Sequence, residues 1–330
     1  MGIKNLNSFL EKHAKMAINE HNLSRYKNQK IAIDTSIFLY KFMYSGKFLE
    51  SFINQVYHFR RFDINPIYVF DGAPPKEKQE VLDNRKEHKL KIQQRVEELE
   101  AKIKELELND EDGRKKLQIQ IKQTQKKCIN ITKEDVENLK KIFNIMGVKY
   151  IQADCEADLI CCNLYKNGNV NACLSNDMDF LPSGCGILLR NYNNSNKILE
   201  YNLNYILQIL NFTYEQFVDF CILCGCDYTC KIPKLGSETA FKYIKAHGNI
   251  ETILDLYCGD DKKFRRPSNF EYQKARELIT NKLNLDNLVI NNCNFKKPEI
   301  ISIDGDLRFI EDLTTFSRKQ LVNRLNKIMV

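Results

Sequence analysis

The 330 residues contain no run of eighteen consecutive apolar positions, so no segment is expected to span a membrane as a helix. The start, MGIKNL, lacks the basic-then-apolar pattern of a secretory signal, and Leu6 stands where an N-myristoylation sequence needs Ser or Thr. The GxxxxGK[ST] loop that cradles nucleotide phosphates is also absent, which argues against an ATPase. No Ser/His/Asp or Cys/His arrangement points to nucleophilic catalysis. Cys221, Cys224, Cys226 and Cys230 lie close together. No second Cys/His pair follows at ligand spacing, however, and 217-FVDFCILCG-225 reads as a buried helix end, not a zinc site. What remains is a soluble, intracellular chain whose twelve cysteines are expected to stay reduced.

Forty-three per cent hydrophobic residues are enough for a large core, as one elaborated domain or two small ones. Fifty Lys and Arg against 43 Asp and Glu leave +7, an excess that permits an anionic partner without requiring one. Short β-rich runs, 30-KIAID-34, 66-PIYVFD-71, 148-VKYIQA-153, 170-VNACLSND-177 and 187-ILLRNY-192, are mostly separated by helical patterns. That alternation predicts an α/β fold around a mostly parallel central sheet flanked by helices. Ligands of such sheets gather beyond the carboxyl ends of the strands, where Asp34, Asp71 and Asp177 would stand.

Residues 76 to 133 differ in kind. Ile92, Val96, Leu99, Ile103 and Leu106 form a heptad seam, and Leu117, Ile121, Thr124, Cys128 and Ile131 form another after the breaker 109-NDEDG-113. Folding at the breaker pairs 106 with 117, 103 with 121, 99 with 124, 96 with 128 and 92 with 131, an antiparallel helical hairpin inserted into the α/β domain. Its charges are zoned: eight acids and two Lys from 97 to 112, then seven Lys or Arg and no acid from 114 to 133. The basic zone lies toward the base of the hairpin, near the acidic sheet edge. It suits either a solvated face or a nucleic acid.

The acids carry the chemistry. Singly, Asp34 before Thr35-Ser36 suits a helix cap, Asp71-Gly72 a turn, and Asp154 the N-cap of a helix starting at Cys155. Asp34, Asp71, Glu156, Asp158, Asp177, Asp179 and Asp227 nevertheless all follow apolar runs, and few nearby Lys or Arg offset them. Converging carboxylates cost several kcal/mol per close pair unless cations compensate. Oxygen ligands without His or Cys suit Mg²⁺ or Mn²⁺. Two such ions about 4 Å apart form the clamp of in-line phosphodiester hydrolysis.

The segments MGI, 31-IAIDTS-36, 68-YVFDGAPP-75, 150-YIQADCEAD-158, 175-SNDMDFL-181, 215-EQFVDFCILCGCDY-228 and 232-IPKLGSETAFKYI-244 together resemble the flap endonuclease family, the xeroderma pigmentosum group G type of structure-specific 5′ nucleases. They run in the family's order over about the first 250 residues. The resemblance implies a PIN-like nuclease core and two Mg²⁺, with Mn²⁺ able to substitute. Asp34, Asp71, Glu156 and Asp158 would surround one ion and Asp177, Asp179 and Asp227 the other, Asp158 being shared. It makes the hairpin a helical arch for a 5′ single strand, with Lys78 and Arg85 contacting the scissile phosphate. Tyr40 would stack on a base beside the cut, and Gly2 would sit against the metals. Residues 229–247, with Gly236 and Ser237, would form a helix two-turn helix element that grips duplex DNA, with a monovalent cation such as K⁺ near 232–237. The implied layout is 1–75 and 134–260 as the core, 76–133 as the arch and 261–330 as a C-terminal extension.

The chain departs from the family pattern in several places. Asp158 replaces the usual Glu, and Lys234 replaces the first Gly of a GxG turn. The segment between Asp34 and Asp71 is short, so the wedge around 44-YSGKFL-49 is expected to be reduced. The tail 320-QLVNRLNKIMV-330 lacks a clamp-binding peptide, so no strong sliding-clamp binding is expected through it. The expected activity is Mg²⁺-dependent 5′ flap cleavage of DNA with 5′-3′ exonuclease activity, in replication and repair, by a monomer. Alternatives are a relative that prefers nicks, gaps, four-way junctions or RNA, and an inactive nucleic-acid-binding scaffold. Richness in Asn, Ile and Lys suggests an AT-rich genome; the nucleus is the family's expectation, or a viral replication compartment in the cytoplasm if the source is viral.

Overall fold

The computed structural model describes residues 2–105, 111–125, 130–259, 262–280 and 303–328. Its centre is a sheet of β1 (Ile18–Asn22), β2 (Lys30–Asp34), β3 (Asn65–Phe70), β4 (Lys149–Gln152), β5 (Ala172–Leu174), β6 (Ile187–Arg190) and β7 (Lys197–Asn202). The spatial order is β1-β7-β6-β5-β2-β3-β4. Strands β2 to β6 pair parallel, whereas β7 joins β6, and β1 joins β7, antiparallel. All five strands read from the sequence are present, although only Ala172–Leu174 of 170–177 pairs. The edge pair β1 and β7 was not anticipated. Strand β1, INEHN, is polar because it lies at the margin of the sheet, and β7 hides its alternation behind Glu200. That buried carboxylate is satisfied by the Tyr26 hydroxyl at 2.7 Å.

Strand periodicity explains the two cores. Ile31 and Ile33 of β2, Tyr68 and Phe70 of β3, and Ala172 and Leu174 of β5 face one side of the sheet, and Ala32, Val69 and Cys173 face the other. The first side is covered by α2 (Thr35–Tyr44), α3 (Phe48–Arg60), α6 (Lys133–Ile145), α13 (Ile303–Leu313) and α14 (Arg318–Ile328). Phe52 of α3, fully buried, packs edge-on against Phe42, Phe48 and Phe143. Each such ring contributes about 1.5–3 kcal/mol by leaving water. The opposite side carries α1 (Leu6–His13), α7 (Ala157–Lys166), α8 (Leu203–Leu210), α9 (Tyr214–Cys224), α10 (Ser237–His247), α11 (Ile250–Tyr257) and α12 (Tyr272–Thr280).

The chain leaves β2 toward β3 and β4, then returns past β2 to add β5 on its other side. The crevice beyond the carboxyl ends of β2 and β5 is therefore the topological switch point, the usual ligand position in open α/β sheets.

Between β3 and α6 stand α4 (Gln79–Glu105) and α5 (Glu111–Gln125), packed on each other. Leu99 and Ile121 are buried between them, while Ile92, Val96, Ile103, Leu117 and Thr124 are half-buried, as a heptad seam requires. Leu106 and Cys128, and with them the 106–117 and 96–128 pairings, lie outside the described residues. Among the described residues no helix is long and apolar enough to cross a membrane.

Candidate active site

Four parallel strands deliver the acids to one edge. Asp34 ends β2 and caps α2, accepting from the Ser36 amide at 3.1 Å. Asp71 follows β3 at once; one of its oxygens accepts from the Ala157 amide at 2.8 Å, and Oδ2 accepts from the Ser36 hydroxyl. Glu156 and Asp158 open α7 after β4. Asp177 and Asp179 follow β5, with Asp177 accepting from the Asp179 amide at 3.1 Å.

The expected Asp154 cap is corrected here. Helix α7 starts at Ala157, not Cys155, and its N-terminal amide is satisfied by Asp71 from the neighbouring strand. The physical reason is the crossing of two chains at Asp71-Gly72. The Gly72 and Ala73 amides donate to the Cys155 and Asp154 carbonyls at 2.7 and 3.2 Å, which keeps 154–156 out of the helix. A Cβ on Gly72 would lie 2.2 Å from the Ala153 carbonyl oxygen, so only glycine permits this approach.

The last acid comes from the far side of the sheet. Helix α9 ends at Gly225 (φ 109°), whose carbonyl accepts from the Lys4 amide at 3.0 Å. The following turn presents Asp227 and Tyr228, and the same tie holds the N-terminus over the acids. Gly2 (φ 84°) packs so closely that a Cβ there would lie 2.0 Å from Asp177 Oδ1 and 2.5 Å from Asp179 Oδ1.

Burial and mutual repulsion govern the electrostatics. Loss of water raises Asp34 well above the usual carboxylate range; Asp71, Asp158 and Asp177 add to this, and the Ser175 hydroxyl, 3.1 Å away, opposes it. Burial, then Asp177, likewise raises Asp179 well above its ordinary value, against the pull of Lys78. Asp158 is pushed up to about 7, by burial first and Glu156 second. Lys78 supplies the positive charge among them. Its Nζ donates to Glu156 Oε1 at 2.7 Å, and although burial works against its charge, Asp158 and Glu156 hold it above its ordinary value.

These residues fit a divalent cation. Asp179 is 4% exposed, and its Oδ1 is buried without a hydrogen-bond partner, an oxygen that demands a cation or a polar group. The donors are all carboxylate oxygens, the set that hard cations prefer. Among the described residues no three His, Cys, Asp or Glu side chains stand together as a preformed cage. The acids are instead parted onto Ser36, Ser175, backbone amides and Lys78, an arrangement that limits their mutual repulsion.

A thermal-shift comparison tests this balance. Asp158 has a folded value of about 7 against 3.8 ordinarily, so its protonated form favours folding. That contribution is complete below about pH 4 and is lost as pH rises toward 7. In EDTA at pH 8, Asp158→Asn is therefore expected to melt a few degrees above the native chain, with the gap closing by pH 4. Adding Mn²⁺ at pH 8 should reverse the order. A gap independent of pH would remove the electrostatic account.

Tyr40 is 56% exposed on α2, six residues past Asp34. Arg85 lies on α4 seven residues after Lys78; its side chain is outside the described residues. Gly236 is the N-cap of α10, with open space around its Cβ position, and Ser237 is the first helical residue. Lys234 adopts φ 64°, the left-handed region that favours glycine, so the turn keeps its shape with a lysine in that place. Cys221, Cys224 and Cys226 are buried in the α9 core, and burial pushes the Cys226 thiol up to about 11. Ser36, Ser175 and Tyr228 were missed as site residues. They lie inside motifs already singled out, two residues after Asp34, two before Asp177 and one after Asp227, so that spacing was the available signal.

Comparison with known proteins agrees with this geometry. The family descriptions XPG N-terminal domain and XPG I-region match residues 1–92 and 147–227, leaving most of the α4–α5 hairpin between them. A flap endonuclease 1 of Entamoeba histolytica is 37% identical over 299 residues, covering 84% of this chain and 75% of that relative. One from Xiphophorus maculatus is 32% identical over 348 residues, covering 100% and 87%. The solved flap endonuclease-1 from Methanococcus jannaschii superposes with a TM-score of 0.65 at 22% identity, over 94% of this chain and 95% of that one, a likeness of fold. With these matches spanning its whole length, the chain belongs to the XPG family of structure-specific nucleases, among the flap endonucleases.

Proposed function

We propose that this chain is a DNA hydrolase that cuts phosphodiesters at the base of 5′ flaps, with accompanying 5′-3′ exonuclease activity, and that it depends on Mg²⁺, which Mn²⁺ replaces. The observation that carries the reading is the buried, partnerless Asp179 Oδ1 among strand-end carboxylates, beside a packed helical hairpin. Asp34, Asp71, Glu156 and Asp158 hold one cation, and Asp177, Asp179 and Asp227 a second, with Asp158 shared. Two bound cations would activate water and stabilise charge on the scissile phosphate. The chain's own groups do the rest. Lys78 and Arg85 bind the scissile phosphate, Gly2 keeps Asp177 and Asp179 in place, and Tyr40 stacks on the base beside the cut. Gly236 and Ser237 offer the α10 amides to the duplex backbone, a phosphate contact that positions DNA without reading its sequence. A monovalent cation such as K⁺ occupies the 232–237 turn.

Residues 1–75 and 134–260 form the nuclease core, 76–133 the arch and 261–330 an extension. The enzyme acts as a monomer on DNA in replication and repair, in the nucleus if the source is a eukaryotic cell and in a viral replication compartment in the cytoplasm if it is viral. A second reading, preference for nicks, gaps or four-way junctions, is favoured by one observation: only Ser45, Gly46 and Lys47 connect α2 to α3, which leaves little chain for a junction wedge.

A cleavage panel decides between them. In Mg²⁺, with EDTA as control, a 5′ flap, a nicked duplex, a four-way junction and single-stranded RNA of matched sequence are compared. The expected result is metal-dependent cutting at the flap base. Preference for another substrate would favour the second reading, and binding without cutting would overturn both.

A further inference from the structure

Tyr228 follows Asp227 in the turn after α9 and is 7% exposed. It touches both members of the Lys78–Glu156 ion pair in the acidic site. Its hydroxyl donates to Glu156 Oε2 at 3.1 Å, while Lys78 Nζ, which donates to Glu156 Oε1 at 2.7 Å, lies 4.6 Å from the centroid of its ring. We propose that Tyr228 is a positioning residue for Lys78, the ring face keeping the ammonium at the site whenever Glu156 is engaged elsewhere.

Glu156 faces two demands. Its two oxygens are held by Lys78 and Tyr228, yet the proposed cation needs the same carboxylate. Once it turns, Lys78 loses its anionic partner, and a four-carbon stem with a well-hydrated ammonium would swing to solvent. The electron-rich ring is a second holder that needs no carboxylate, and cation–π attraction is strongest where water is excluded, as here. The hydroxyl does a separate task, orienting Glu156. The two tasks can be separated: Tyr228→Phe keeps the ring and loses the hydroxyl, and Tyr228→Leu loses both while keeping bulk. The inference rests on the proposed role of Lys78 at the scissile phosphate.

The test is a double-mutant cycle on flap cleavage, with kcat and KM measured separately, together with mass-spectrometric mapping of Lys78 acylation by acetic anhydride in metal-free Glu156→Gln protein, where Lys78 has lost that carboxylate. Tyr228→Leu should lower kcat about tenfold or more with KM for DNA nearly unchanged, and should speed Lys78 acylation several-fold. Tyr228→Phe should restore most of kcat and slow acylation again. In a Lys78→Ala background, Tyr228→Leu should cost almost nothing further, because coupled residues do not add. An equal loss in both backgrounds would overturn the inference and leave the nuclease reading intact. Normal cleavage by Lys78→Ala would overturn the inference together with the proposed role of Lys78 at the scissile phosphate. If Tyr228→Leu does not fold, Tyr228→Phe and Tyr228→Met are compared for Lys78 acylation; equal rates would overturn the ring's role.

Discussion

Asp177→Ala is expected to lower kcat by about a thousandfold or more in Mg²⁺ while leaving flap-DNA binding within a few-fold of the native value. Each tenfold is about 1.4 kcal/mol of transition-state stabilisation, and removal of a ligand to a cation clamp removes several kcal/mol. Asp177 does more than supply one of the seven proposed ligands. Asp177 caps the turn that carries Asp179, accepting from its amide, and lies under Gly2, so truncation also frees Asp179. The proposed phosphate contacts along the duplex, at Gly236 and Ser237, do not involve Asp177, which is why binding should survive. Binding is measured by fluorescence anisotropy in Ca²⁺ and cleavage by single-turnover quench in Mg²⁺. Retained turnover would refute the two-cation assignment.

Lys78→Ala should slow cleavage by about a hundred- to a thousandfold, the usual consequence of removing one donor aimed at developing charge. Affinity for the flap should change little, since one cation among many contributes little to duplex binding. A second effect separates this position from ordinary surface lysines. Lys78 offsets Glu156, Asp158 and Asp179, so its loss should destabilise the EDTA-treated protein at pH 8, and Mn²⁺ should recover part of the loss. Single-turnover rates and melting temperatures of the same preparations check both outcomes. A native rate would show Lys78 to be an ion-pair partner of Glu156 and nothing more.

Much of this site was legible because strand and helix periods are local properties. The run 30-KIAID-34 alternates between the two cores before ending in an acid, and parallel strands place such ends on one edge whatever the details of packing. The α4–α5 seam followed from heptad spacing in the same way, with Leu99 and Ile121 buried as the pattern requires. Asp154 illustrates where local reading fails. An Asp ahead of an apolar helix is a sound cap signal, but a chain more than eighty residues earlier, at Asp71-Gly72, occupied that backbone and supplied the cap. Glu200 kept β7 from being read as a strand, because its partner Tyr26 lies 174 residues away.

The sequence by itself determined which residue types reach the edge: carboxylates from several strands, a glycine near the N-terminus, and a helical hairpin with Lys78 at its foot. Only the tertiary structure decided how those charges are shared when they meet. It buried Asp179 Oδ1 without a partner, raised Asp158 to about 7, and set Lys78 between Glu156 and the ring of Tyr228. The physical reason is range. Periodicity acts over a few residues of one chain segment, whereas desolvation and charge–charge energies depend on which distant segments exclude water together.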